Sequence, residues 1–304
     1  MVNDQLEVTG ERYHPFLDPK IFGPEIHYEH LHRYYFASKF IKNKLVLDLG
    51  CGDGYGSHIL SKSAKYVIGL DYDEHTINHA RRKYLKDNLK FILGSAIDIP
   101  IGKEKIFDII ICFEVLEHLR EHNRFISEIR RLLKDQGILI ISTPDKRLFR
   151  RKRQPNYKSL YHKKELHFDE FKDLLKTKFK HVCIYGQRIF TGSHIWPLSD
   201  LTSICEEHII EKKRNTFSLI DLNKKEHFYL IAIASNRKLD TSNLCFKSYL
   251  TDTSNIIVER IRILEKQIAV TSSDIEKLSS DIEKIKSSLA YRIYMRIRKF
   301  LPIK

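Results

Sequence analysis

The feature that most constrains this chain is the run Val46-Leu47-Asp48-Leu49-Gly50-Cys51-Gly52-Asp53-Gly54-Tyr55-Gly56. An apolar stretch passes into a glycine-rich turn, and the turn passes into a helix-forming stretch. Glycines are needed where backbone must turn tightly and let a ligand come close. A glycine repeat alone fits a dinucleotide site equally well. Asp48 shifts the balance, because a carboxylate at the strand end repels a pyrophosphate and attracts an ammonium.

Strands and helices alternate around this run. Lys44 to Leu49, Tyr66 to Leu70, Leu89 to Leu93, Phe107 to Phe113 and Gly137 to Ser142 read as buried strands, the last closed by Pro144. Tyr55 to Lys62, Glu74 to Lys86 and Asn123 to Lys134 read as the helices between them. Continuous apolar strands separated by helices predict an α/β fold, a Rossmann-like doubly wound and mostly parallel sheet covered on both faces. Asp145 to Tyr161 reads as a long basic loop, Lys163 to Lys178 as a helix, and His181 to Ile189 and Phe228 to Ala234 as further strands. Phe190 to Glu226 carries no pattern that assigns it a fold.

Three more signals follow the glycine turn in order. Ile68-Gly69-Leu70-Asp71 ends a strand in an acid about 20 residues on. Gly94-Ser95-Ala96-Ile97-Asp98-Ile99-Pro100 forms a turn after the third strand, and Phe107 to Glu114 ends the fourth. In this order and spacing the four motifs resemble the class I S-adenosylmethionine-dependent methyltransferases. The resemblance implies S-adenosyl-L-methionine as cofactor. Its methionine part would lie on the turn of Asp48, Gly50, Cys51, Gly52 and Gly54, its ribose on Asp71 beside Tyr72, and its adenine against Ser95 and Ala96, with Phe113 completing the set. Many relatives carry Asp where this chain has Ser95, which moves the adenine contact toward backbone.

On the acceptor side, Glu114, Glu117 and His118 stand at i, i+3 and i+4, a spacing that shares one helical face. Two carboxylates and an imidazole there, with His162 as fourth ligand, could hold a divalent cation such as Mg2+ and acidify an acceptor hydroxyl. Similar Glu-x-x-Glu-His segments hold a metal in some small-molecule and RNA-end methyltransferases. Without metal, His162, His118 and Glu114 are the candidate catalytic groups, His162 as general base. The bland alternative is that these residues only shape the pocket and His162 caps the next helix.

Other segments widen the resemblance. Gly10-Glu11-Arg12-Tyr13, Glu29-His30-Leu31-His32-Arg33-Tyr34 and Tyr185-Gly186-Gln187-Arg188 are similar to a methyltransferase group that accompanies glycosyltransferases in surface polysaccharide synthesis. The segment Lys286 to Tyr294 is similar to tails of enzymes from such clusters. These similarities imply O-methylation of a sugar on a lipid-linked or surface polysaccharide. Two other readings stay open: an RNA or small-molecule O-methyltransferase, and an inactive membrane-tethered scaffold for glycosyltransferases. The basic run Lys146 to Arg153 could clamp phosphates, but only Phe149 is interleaved for base stacking, so nucleic acid is the weaker partner.

The C-terminal part changes character. Ile257, Ile261, Leu264, Ile268, Thr271, Ile275, Leu278, Ile282, Ile285 and Leu289 recur at alternating spacings of four and three. That seam predicts a coiled coil of roughly 50 Å and a homo-oligomer; a lone helix folded on the core is the alternative. Tyr291 to Lys304 interleaves basic and apolar residues, a pattern suited to an anionic membrane surface. The net charge of +14 across 304 residues also favours an anionic partner. Five scattered cysteines without a CxxC pair, and no apolar run near the roughly 18 residues of a membrane span, suggest reduced thiols in the cytoplasm, peripheral at the inner membrane face. The expected organisation is an N-terminal helical cap (1–43), the cofactor-binding domain (44–236), a linker (237–254), the coiled coil (255–290) and the basic tail (291–304).

Overall fold

The structure, a computed structural model, describes residues 24–147, 161–190, 209–213, 216–220, 226–239, 247–250, 256–287 and 293. The chain divides into two compact units, Met1–Leu250 and Thr251–Lys304.

The first unit is built on seven strands: β1 (Leu45–Leu49), β2 (Tyr66–Asp71), β3 (Leu89–Leu93), β4 (Phe107–Phe113), β5 (Leu133–Pro144), β6 (His181–Gln187) and β9 (Tyr229–Ser235). Their order is β3-β2-β1-β4-β5-β9-β6. The pairs from β3 to β5 are parallel, and β9 runs antiparallel between β5 and β6. This is the Rossmann-like, mostly parallel sheet that the alternating pattern predicts. The chain leaves β1 for β2 on one side and returns to β4 on the other, so a crevice opens at the carboxyl ends of β1 and β4.

Side chains of successive strand residues point to opposite faces, which gives two cores. Val46, Val67, Ile109, Ile111, Ile140 and Ile233 pack on one face with residues of α1 (Pro24–Ser38), α2 (Tyr55–Leu60) and α3 (Glu74–Lys83). Leu47, Leu70, Ile110, Cys112, Leu139 and Ile141 pack on the other with α4 (His122–Leu132) and α5 (Phe168–Lys176). Helix α4 has its buried residues Phe125, Ile126, Ile129 and Leu132 at helical spacing. Asp73 caps α3 by accepting from the Thr76 amide at 2.7 Å, and Arg81, Arg82 and Lys83 occupy its last turn.

Two elements differ from expectation for clear reasons. Helix α5 starts at Phe168 rather than at Lys163, because the amides of Lys163 and Lys164 bond to the Glu117 carbonyl and Leu166 bridges to Asp145. Strand β5 starts at Leu133 because that residue pairs with Phe107, which ends α4 early. Within the stretch that carried no pattern, β7 (Ile209–Lys213) and β8 (Thr216–Ile220) form an antiparallel hairpin.

In the second unit, α6 (Ile256–Ser287) is one helix of 32 residues, about 48 Å long at the helical rise. Its seam residues Ile261, Leu264, Ile268, Ile275, Leu278, Ile282 and Ile285 are 39% to 65% exposed. Thr271 donates to the Gln267 carbonyl at 2.9 Å, so the polar break in the seam satisfies itself within the helix. Leu289 and, apart from Ile293, the tail 291–304 lie outside the described residues, as does Gly10 to Tyr13. No helix among the described residues is long and apolar enough to cross a membrane.

Candidate active site

At the end of β1, Gly50, Gly52 and Gly54 adopt φ of 78°, 54° and 86°, the left-handed region that glycine enters without strain. A side chain at Gly50 would also run into Val115, just past β4. The turn folds under Asp48, which is fully buried and accepts from Ser57 Oγ at 2.6 Å and from Tyr34 Oη at 3.3 Å. Burial pushes the Asp48 carboxyl up to about 7, against the two hydroxyl donors and with Asp71 adding to the rise. The ring of Tyr34 stands edge-on between Tyr55 and Phe113, with centroids 5.3 Å and 5.2 Å away. Cys51 is buried beside Asp48, and burial holds its thiol well above the usual range.

Asp71, at the end of β2, accepts the Gly52 amide at 3.0 Å and the Asp73 amide at 3.1 Å. Tyr72 follows Asp71 and is 65% exposed. In the turn after β3, Ser95 Oγ accepts the Ile97 amide at 3.3 Å and the Ser95 carbonyl accepts the Asp98 amide at 3.2 Å. Ala96 is half-buried there, while Asp98 faces solvent near Arg124.

The acceptor side departs from the helical-face argument. Glu114 has φ of 55°, and only Leu116–His118 forms a 3-10 turn. Glu114 therefore leaves the face of Glu117 and His118. It accepts from Ser142 Oγ at 2.6 Å and lies 3.6 Å from Arg33 Nη1. Glu117 is buried and accepts from Thr143 Oγ1 at 3.2 Å; burial, reinforced by Glu114, raises its carboxyl well above the usual range. Its carbonyl accepts the Lys163 and Lys164 amides at 2.8 Å and 3.1 Å, which carries His162 to His118 with ring centroids 5.2 Å apart. His118 Nδ1 lies 3.2 Å from the Tyr161 carbonyl, and His162 Nδ1 lies 2.7 Å from Glu165 Oε1. Glu117, His118 and His162 each place one ligand atom within 4.8 Å of the others. Glu114 is not in that group, so the four-ligand set reduces to three. With one carboxylate and two imidazoles, the donors suit a transition ion better than Mg2+.

Residues 41–191 match a family described as a methyltransferase domain. Over that stretch the chain is similar to S-adenosylmethionine-dependent methyltransferases. A Mycolicibacterium smegmatis protein named "Probable S-adenosylmethionine-dependent methyltransferase" is 34% identical over 57% of this chain. The match covers 64% of that relative's length, so the chain spans under two thirds of it. A ubiquinone biosynthesis O-methyltransferase of Pelagibacter ubique is 34% identical over 37% of this chain and 47% of its own. The solved complex of the Haloferax volcanii Trm112 methyltransferase activator with a methyltransferase is similar in fold, with a TM-score of 0.50 over 69% of this chain and 91% of that one at 16% identity.

Some residues around the site escape the motif reading. Tyr34 and Ser57 hold Asp48, Ser142 holds Glu114, and Thr143 holds Glu117. Asp145 lies 3.2 Å from His227 Nε2. Only the hydroxyl-bearing ending of β5, Ser142-Thr143 just before Pro144, gave a signal that could have found any of them. From residue 148 onward, the basic run ending at Arg153 lies outside the described residues.

Proposed function

We propose that the chain methylates an oxygen, a sugar hydroxyl of a lipid-linked or surface glycan, with S-adenosylmethionine as donor. The observation that carries the transfer is Asp48: a buried carboxylate, raised to about 7, under a glycine turn beside Asp71. A cationic group placed against it relieves the cost of its charge, which fits the ammonium end of the cofactor. When bound, the cofactor supplies a methyl on a sulfonium. Asp48 and the Gly50–Gly54 turn would hold its methionine part, Asp71 its ribose and the Ser95–Ala96 turn its adenine.

The protein's work is then alignment and proton removal. His162 Nδ1 lies 2.7 Å from Glu165 Oε1, a carboxylate partner that would support the ring as it takes the hydroxyl proton. An oxygen acceptor is favoured by the O-methyltransferase name of the matched Pelagibacter ubique relative. The glycan rests on the segments at Glu29–Tyr34 and Tyr185–Arg188. Calorimetry with S-adenosylhomocysteine tests the cofactor side: Asp71→Ala should bind at least tenfold more weakly, since a paired ribose contact goes. Unchanged affinity refutes the ribose role. Mass spectrometry of surface glycan from cells lacking the protein tests the acceptor, and an intact methylation pattern refutes it.

The cluster of Glu117, His118 and His162 favours a second reading in which a bound divalent transition ion lowers the hydroxyl pKa. Glu165 then acts as the carboxylate that orients a ligating histidine. We also propose that the exposed seam of α6 pairs with the same helix of another copy, and that the basic residues after Tyr291 bring the assembly to an anionic membrane surface at its cytoplasmic face.

A further inference from the structure

The amino-terminal ends of β1, β2 and β3 carry a basic face that none of the steps above uses. Three turns meet there. The Asn43 amide donates to the Ser63 carbonyl at 3.2 Å, the Lys65 amide to the Lys44 carbonyl at 2.9 Å, and Asn88 Nδ2 to the Ser61 carbonyl at 2.8 Å. Residues 42–44, 61–65 and 84–90 hold six lysines, all exposed, and one acid, Asp87. Among the described residues, Lys62, Lys65, Lys86 and Lys90 form no ion pair. Burial, and then the charges of Lys86 and Lys62, hold the His58 imidazole below its usual range. A groove of about 590 Å³ opens on this face between the end of α3 and β3, lined by Arg81, Lys86 and Lys90 together with Tyr84 and Phe91. At its lip Leu85 is 81% exposed, between Lys83 and Lys86 in sequence.

Cations crowded on one face without counter-charges repel one another, and an anionic partner relieves that cost. An added peptide strand fits poorly, although β3 is the outer strand of the sheet. Arg81 Nε already donates to the Phe91 carbonyl at 3.1 Å and blunts that edge. Nucleic acid fits poorly too, because the rings of Tyr84 and Phe91 are buried and offer no face for a base to stack on. Leu85 points to a bilayer instead. An aliphatic side chain held out in water and flanked by cations gains by entering the acyl boundary while the cations stay with the headgroups. We propose that this face docks the first unit on an anionic lipid bilayer, with Leu85 inserted and a headgroup phosphate seated between Arg81, Lys86 and Lys90. The cofactor crevice lies at the other, carboxyl end of the strands, so docking leaves it open. This contact is separate from the tail after Tyr291 and depends on neither the tail nor the glycan acceptor.

The test is flotation of the full chain with vesicles of phosphatidylcholine, alone or mixed with phosphatidylglycerol. The wild type should bind the anionic vesicles and not the neutral ones. Each basic residue at such a surface is worth roughly fivefold in binding, so Lys86→Glu with Lys90→Glu should weaken it more than about tenfold. A control of equal charge change before β6, at the opposite edge of the sheet, is Lys178→Glu with Lys180→Glu, and it should weaken binding less than about threefold. Leu85→Ser should lose affinity several-fold, and Leu85→Trp should show a blue-shifted emission on anionic vesicles beyond that of the wild type. Circular dichroism should match the wild type in every variant. The proposal is overturned if the wild type ignores anionic vesicles, or if the groove pair floats as well as the wild type, which leaves the tail as the anchor. It is also overturned if the control pair loses as much as the groove pair, or if the Leu85→Trp emission stays unshifted. Calorimetric binding of inorganic phosphate or a uridine oligonucleotide by a wild type that ignores vesicles gives the groove to a free anion or to RNA. A chain that floats as expected but binds no S-adenosylhomocysteine keeps this contact while the methyltransferase reading falls.

Discussion

Tyr34 Oη reaches Asp48 across 3.3 Å, and the two residues come from different elements, α1 and β1. Helix α1 therefore holds the strand-end carboxylate directly instead of merely covering it. The fit is close enough that a methyl at Gly56 would collide with the Tyr34 ring.

Replacing Gly56 by Ala should thus cost about 1–3 kcal/mol of stability through overpacking. Tyr34→Phe keeps the packing and removes one donor to Asp48, at about 1 kcal/mol. It should also weaken S-adenosylhomocysteine binding several-fold, because the ionised carboxylate loses a hydrogen bond. Denaturant unfolding and calorimetry read the two effects separately, and equal stability of Gly56→Ala and wild type would contradict the contact.

Asp48 gives the domain a pH signature. Its carboxyl rises from 3.8 when unfolded to about 7 when folded, so the folded state binds the extra proton between those values. Stability of the cofactor-free protein should fall as pH rises from 4 to 7, by at most roughly 4 kcal/mol from this group. The affinity for S-adenosylhomocysteine should move the other way, tightening as Asp48 ionises toward pH 8. Asp48→Asn should flatten both trends; a mutant that keeps the wild-type slopes would assign them elsewhere.

The histidine cluster separates its two readings by chelation. If an ion sits on Glu117, His118 and His162, then a strong chelator should lower turnover by at least tenfold and Zn2+ or Mn2+ should restore it. If His162 acts as a base alone, the chelator has no effect while His162→Ala removes most of the rate, on the order of 100-fold. A variant at His162 with wild-type turnover excludes both.

Deleting residues 255–304 should reduce the assembly to a monomer in light scattering and leave cofactor affinity intact. The expectation follows from seven apolar seam residues left exposed along α6. An unchanged mass would remove the helix from the interface.

The shape of the turn was legible because glycines and strand-end acids report on backbone through a few neighbouring letters. Gly50, Gly52 and Gly54 take the positive φ that glycine allows, and Asp71 follows at the end of the next strand. What failed was inference from spacing where tertiary pairing overrides it. Glu114, Glu117 and His118 have helical spacing, but the Glu114 amide is drawn to the Ser142 carbonyl at 3.4 Å and the helix never forms. Arg33 was illegible for another reason. Within Glu29 to Tyr35 charged residues, histidines and tyrosines surround a single leucine and leave no clean apolar stripe, and only contacts with β6 and β9, some 150 to 200 residues away, decide that the arginine is inside.

The carbonyl of Glu117, holding two amides from the segment that carries His162, works as a rivet. It fixes the histidine pair from one side, so the approach of His162 to His118 is set by backbone bonds and not by the two imidazoles themselves. Either ring can therefore be exchanged while the turn that presents it stays standing.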